Sequence, residues 1–110
     1  MITFSTANPQ QLLVSLKEAI RSGHITTWSE VDGYFTHTPS QWAYKAWLQP
    51  SLQGGELRFA IIKSQNINVT TEVYAVYHGR FLETMLAHFD GQFTSGVASA
   101  MPTAADRIAA

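Results

Sequence analysis

The sequence contains no cysteine, which excludes disulfides, thiolate metal sites and thiol nucleophiles together. Charge is also scarce. Asp, Glu, Lys and Arg make up 14% of the 110 residues, against about 25% in a typical domain. A surface so poor in charge is short of solubilising groups, which points to part of it being covered by a protein partner or a second copy. The seven Lys and Arg residues are scattered from Lys17 to Arg107. No basic run is available to neutralise a phosphate backbone, and nucleic acid is disfavoured as a partner. No apolar run approaches the roughly 20 residues that cross a bilayer. The opening MITFSTANP lacks the basic and apolar regions of a secretory leader. A soluble, cytoplasmic protein with no membrane partner is the expectation.

Catalytic signatures are missing too. No G-x-S-x-G elbow occurs, and Ser95-Gly96 lacks the frame such an elbow needs. Glu30 and Asp32 share a strand face that runs into a turn, which reads as a solvated hairpin tip rather than an acid/base pair.

Hydrophobic residues, at 45%, are sufficient for a core, and a chain of this length folds as one domain. The expectation is a single compact domain over residues 1–110, with 1–7 and 103–110 frayed. Asn8-Pro9 opens the first helix, with Asn8 as cap, Pro9 at the first helical position and Gln11 three residues after the cap. Leu12, Leu13, Leu16 and Ile20 form its apolar stripe and Gly23 its stop, so a helix is predicted over 9–22. Residues 24–38 read as a hairpin around Asp32-Gly33, a favoured type I′ turn. That turn sets Val31 opposite Tyr34, Glu30 opposite Phe35 and Trp28 opposite His37. Trp28, Glu30, Phe35 and His37 then share one face, which the mixture of residues suggests is partly wet.

Thr38-Pro39-Ser40-Gln41 has the spacing of a capping box, and a single helical turn at 39–42 is expected, then a strand to Gln49 that Pro50 ends. Leu57 to Lys63 is a strand-forming run, joined to its predecessor by a loop over 50–55. Residues 64–68 are turn-like. The stretch from Val69 to Gly91 carries the most pattern. Val73, Ala75 and Tyr77 alternate like a strand, whereas Phe81, Leu82, Met85, Leu86 and Phe89 recur at helical spacing. A strand over 69–77 is therefore predicted to bend at Gly79 into a helix over 80–89. Residues 93–100 supply a last edge strand. The fold class is α+β: an antiparallel sheet of about five strands, with an N-terminal and a C-terminal helix on one face.

Three groups of residues qualify for function. His24, His37, His78 and His88, with Asp32 and Asp90, raise the question of a metal, but none shows ligand spacing, so neither metal nor cofactor is expected. At His78-Gly79-Arg80 a helix N-terminus would aim backbone N–H groups and Arg80 at one spot suited to an anion. His78 could move a proton there, with Glu83 one turn on and His37 nearby. In the opposing account Arg80 and Glu83 merely pair on a helix surface. Finally, Trp28, Tyr34, Phe35, Trp42, Tyr44 and Trp47 crowd into one charge-poor stretch, the composition of an interface centre or of a core. A self-associating, non-enzymatic protein-interaction domain using the surface around 28–47 is the favoured reading. The alternative is a small enzyme or anion-binding protein with its site at His78-Gly79-Arg80.

Overall fold

The computed structural model describes residues 1–109. Its elements are β1 (Ile2–Ser5), α1 (Pro9–Arg21), β2 (Trp28–Val31), β3 (Tyr34–His37), β4 (Ala46–Gln53), β5 (Glu56–Lys63), α2 (Thr71–Phe89) and β6 (Ser95–Ala98). The strands form one antiparallel sheet in the order β2-β3-β4-β5-β1-β6, six rather than five. Both helices pack on it, and one core cluster gathers residues from the sheet and from both helices.

α1 forms as its caps dictate. The Asn8 side chain accepts from the Gln11 N–H at 3.1 Å, Pro9 sits in the first turn, and Leu12, Leu13 and Leu16 are buried. The hairpin has the register that the Asp-Gly turn imposes, with Trp28 opposite His37 and Glu30 opposite Phe35. Asp32 and Gly33 carry φ of 53° and 84°, the left-handed pair that a type I′ turn needs. Its mixed face is not wet. Trp28, Phe35 and His37 are all buried, because this face lies under the helices. Glu30 keeps its charge at the margin by pairing with Lys17 of α1 at 3.4 Å.

The expected bend at Gly79 does not exist. α2 runs unbroken from Thr71 to Phe89, and residues 71–77 are helical rather than extended. The start is set by Thr70, whose hydroxyl accepts from the Val73 N–H at 3.1 Å. Val73, Tyr77, Phe81 and Met85 stand four apart and all are buried, so the stripe that binds the helix to the core begins inside the segment that also alternates. Burial of one face overrides the β-propensity of Val and Tyr there. Gly79 falls on the exposed side.

Three smaller expectations also give way. Residues 2–5 are not frayed: β1 lies between β5 and β6, with Ile2 and Phe4 fully buried. Beside it Gly96 is required by space, since a Cβ there would stand 2.9 Å from Leu82 and 3.0 Å from the Phe4 ring. Nor does Pro50 end a strand. β4 runs through it to Gln53, where the turn at Gly54-Gly55 leads into β5. Phe35 opposes Leu48, so Tyr34, the first residue of β3, reaches only as far as Gln49. Beyond that point β4 is a free edge, where proline is tolerated. At the other end of the chain Arg107 bridges Ile62 in parallel, continuing along β5 where β1 stops. Ala110 lies outside the described residues. The segment 39–45 is a run of turns, with the N–H groups of Trp42 and Ala43 both donating to the Pro39 carbonyl, and β4 begins only at Ala46.

Candidate functional site

The turn that delivers the chain into β4 holds the most unusual backbone. Trp42 points inward and is 9% exposed, whereas Tyr44, two residues on, is 60% exposed. Tyr44 has φ of 61°, a left-handed conformation that a bulky side chain resists. Its backbone is pinned on both sides: its N–H donates to the Thr36 hydroxyl at 3.1 Å, and its carbonyl accepts from the Ser64 hydroxyl. So held, the Tyr44 ring sits 5.7 Å from the Trp47 ring at an angle of 51°. Strain of this kind costs on the order of 1–3 kcal/mol, and in other proteins it gathers where function requires it.

Trp47 belongs to the sheet face turned away from the helices. Register and alternation place Ser29, Val31, Tyr34, Trp47, Gln49, Ser51, Arg58, Ala60, Ile62, Thr3 and Val97 on that face. Trp47 lies opposite Ile62, and the Gln49 amide donates to the Tyr34 hydroxyl at 3.3 Å. Val31, Tyr34 and Val97 are exposed there at 46%, 38% and 60%. Among the described strand residues Glu56 and Arg58 are charged on this side and neutralise each other through bonds of 2.8 and 2.6 Å, while Arg107, bridged to Ile62, adds an exposed cation beside β5. The result is a charge-poor, partly aromatic surface spread over the sheet.

The six aromatic candidates therefore divide. Trp28, Phe35 and Trp42 are core, where Trp28 packs edge-on to Tyr77 and Phe81. Tyr34, Tyr44 and Trp47 stay on the open side. The second group of candidates does not converge. His78 is buried, Arg80 and Glu83 are exposed on α2, and among the described residues Arg80 and Glu83 form no ion pair with each other. With α2 continuous through residue 79, no helix N-terminus lies there, and the geometric premise of an anion site at His78-Gly79-Arg80 is gone.

His78 does something else. Its Nδ1 meets the Tyr74 carbonyl at 2.7 Å, so that nitrogen carries the proton and Nε2 is left as an acceptor. Nε2 lies 3.0 Å from the Met1 amino group, which also bonds Asp106 at 3.0 Å and the hydroxyls of Tyr74 and Ser99 at 3.2 Å each. Burial, reinforced by the Met1 ammonium, pushes the imidazole down to about 4. Burial alone would raise the Asp106 carboxyl. Hydrogen bonds from the Thr103 and Ile61 N–H groups and from the Met1 ammonium instead hold it below the ordinary carboxylate range. The cluster ties β1, β5, α2 and the C-terminal segment together. Asp106, Tyr74 and Ser99 carry no spacing signal in the sequence, because they meet only through the sheet.

His37, on β3, is 2% exposed. Its Nδ1 faces the Thr27 carbonyl at 2.7 Å, and its Nε2 is the buried side-chain nitrogen without a partner among the described residues. Burial lowers its pKa against the opposing pull of the Thr27 bond. No three His, Asp or Glu residues stand together as a metal site among the described residues. An apolar cleft of about 170 Å³ opens between Val69, Thr71, Tyr74, Met101 and Ile108. Neither it nor the clefts beside Asn8, Lys45 and Arg21 is lined by His37, His78, Arg80 or Glu83. No helix among the described residues is long and apolar enough to cross a membrane. No family model, curated protein or solved structure matches the chain.

Proposed function

We propose that this chain is a protein-interaction domain that pairs with a second copy of itself across the open face of its sheet, with Tyr34, Tyr44 and Trp47 in the contact. The observation that carries the reading is Tyr44: a strained, doubly pinned backbone keeps a large ring in water beside Trp47. Two features favour a second copy as occupant. Charge on the face is sparse: Glu56 and Arg58 satisfy each other and Arg107, exposed beside Ile62, adds one cation, so two copies meet with little repulsion, whereas a strongly charged partner finds little to pair with. Its size also suffices. Six strands spaced about 4.8 Å apart and averaging about 18 Å long make a face of roughly 520 Å². Two such faces cover roughly 1,040 Å², just at the about 1,000 Å² that a specific interface requires.

Sedimentation velocity across the micromolar range tests this. The wild type is expected to shift from monomer towards dimer as concentration rises. Trp47→Glu, which places a charge beside Tyr44 on this face without touching the core, is expected to remain monomeric with an unchanged melting temperature. A wild type that stays monomeric at high micromolar concentration would refute the reading.

A further inference from the structure

The β2–β3 hairpin is joined to the sheet by a short ladder and otherwise held by side chains, with Trp28 and Phe35 buried in the core. Its ladder to β4 has a single register pair, Phe35 with Leu48, and the Thr36 hydroxyl adds bonds to the Ala46 carbonyl and to the Tyr77 hydroxyl, each at 3.0 Å. What seats it on α2 is a tilted pair of rings. His37 lies 4.5 Å from Trp28 at 31°. The Trp28 indole N–H donates to the Thr84 hydroxyl of α2 at 3.1 Å, and both rings meet Tyr77 edge-on.

In this seam the imidazole has one committed nitrogen and one bare one. Nδ1–H is spent on Thr27, and Nε2 is buried with no partner. Protonation would create a second N–H with no acceptor in a slot walled by aromatic rings. The charged groups nearest it come from α2: the Arg80 guanidinium opposes a positive imidazole and the Glu83 carboxylate favours it. Both side chains are exposed and so act through solvent. From β2 the neighbour is Trp28, while Glu30 is engaged by Lys17 of α1. From α2 the other neighbour is Tyr77, whose hydroxyl is bonded to the Trp42 carbonyl at 2.6 Å. An imidazolium would satisfy its new N–H only by leaving the slot for water, and the thin β3–β4 junction lets the hairpin move with it.

We infer that the β2–β3 hairpin is a proton-operated flap: protonating His37 undocks it from α2 and brings Trp28 to the surface. This goes beyond the pairing of the open sheet face and does not depend on it.

Amide hydrogen exchange on the whole chain at pH 7.5 and 5.5, corrected for intrinsic exchange, tests the flap. Protection over residues 28–37 is expected to fall on the order of tenfold more than over the buried turn of α1 at residues 12–16, as linkage to one imidazole requires. His37→Phe keeps a ring against Trp28 and cannot take up a proton, so the excess loss should vanish in it. Parallel loss of protection in the hairpin and in α1, or an undiminished response in His37→Phe, would overturn the proposal. Should that variant not fold, solvent exchange of the Trp28 indole N–H is followed by NMR in the wild type across the same pH range instead. Exchange that speeds up on acidification beyond its intrinsic rate supports the flap, and exchange that fails to do so overturns it.

Discussion

Tyr44 occupies a backbone conformation that its own side chain opposes. Glycine at that position would remove the clash between Cβ and the following carbonyl, and the left-handed region is open to it. Tyr44→Gly is therefore expected to leave stability unchanged or to raise it by up to about 1 kcal/mol in urea denaturation, although it deletes a large aromatic side chain. In sedimentation velocity the same variant should associate less than the wild type. A loss of more than about 1 kcal/mol would mean that the ring holds the fold rather than serving its surface. The sequence sets Tyr44 among the aromatic candidates, but nothing in it announces the residue's backbone conformation. Positive φ is legible where Gly, Asn or Asp occurs, as at Asp32-Gly33, and a tyrosine carries no such mark. His78 and Asp106 are as opaque, because their partners stand up to 105 positions away and meet only when β1 enters the sheet.

At the level of elements, legibility follows the strength of local signals. The Asn8 cap and the Leu stripe define α1, and Asp32-Gly33 defines the hairpin to the residue. α2 is the counter-example. Val73, Ala75 and Tyr77 alternate, yet Val73, Tyr77, Phe81 and Met85 also recur every four residues, and over so short a run the two periods coincide. Length decided between them: a 19-residue helix buries one continuous stripe, which a strand broken at Gly79 cannot do. Gly79 then has no conformational task. It sits in the helix interior on the solvent side, with nothing within 4 Å of where a Cβ would stand. Gly79→Ala is expected to stabilise the protein by about 0.5–1 kcal/mol, the helix-propensity difference. Destabilisation measured by chemical denaturation would show that the site needs a glycine after all.

At the level of the whole molecule, two buried imidazoles flank the same helix, and both fold in the neutral form. An unfolded histidine takes up a proton near 6.5, while folded His78 refuses one until about 4. Acid therefore favours the unfolded chain: the contribution is fully present above 6.5 and drains away as pH falls towards 4. At about 1.4 kcal/mol per pH unit that interval makes the loss on the order of 3 kcal/mol, and His37, shifted in the same direction, adds to it. Asp106, held low, extends the decline below the usual carboxylate range. Urea denaturation at pH 7.5, 6.0 and 4.5 should show midpoints that fall in that order. Equal midpoints at 7.5 and 4.5 would contradict the burial of both rings. The sheet-and-helix class itself was readable from composition and period, but the expected strand over 69–77 gives way to α2 and β1 is missed, four residues too short to show a pattern of their own.

That strand has a kinetic implication. β1 is synthesised before both of its neighbours, β5 and β6, whose pairing residues are 56–59 and 95–98. Closing loops of that length precedes any reward from the contacts. During synthesis Ile2 and Phe4 must wait uncovered until β6 has emerged. A nascent chain halted before residue 95 should consequently be held open at its beginning, a natural client for chaperones that bind short apolar segments.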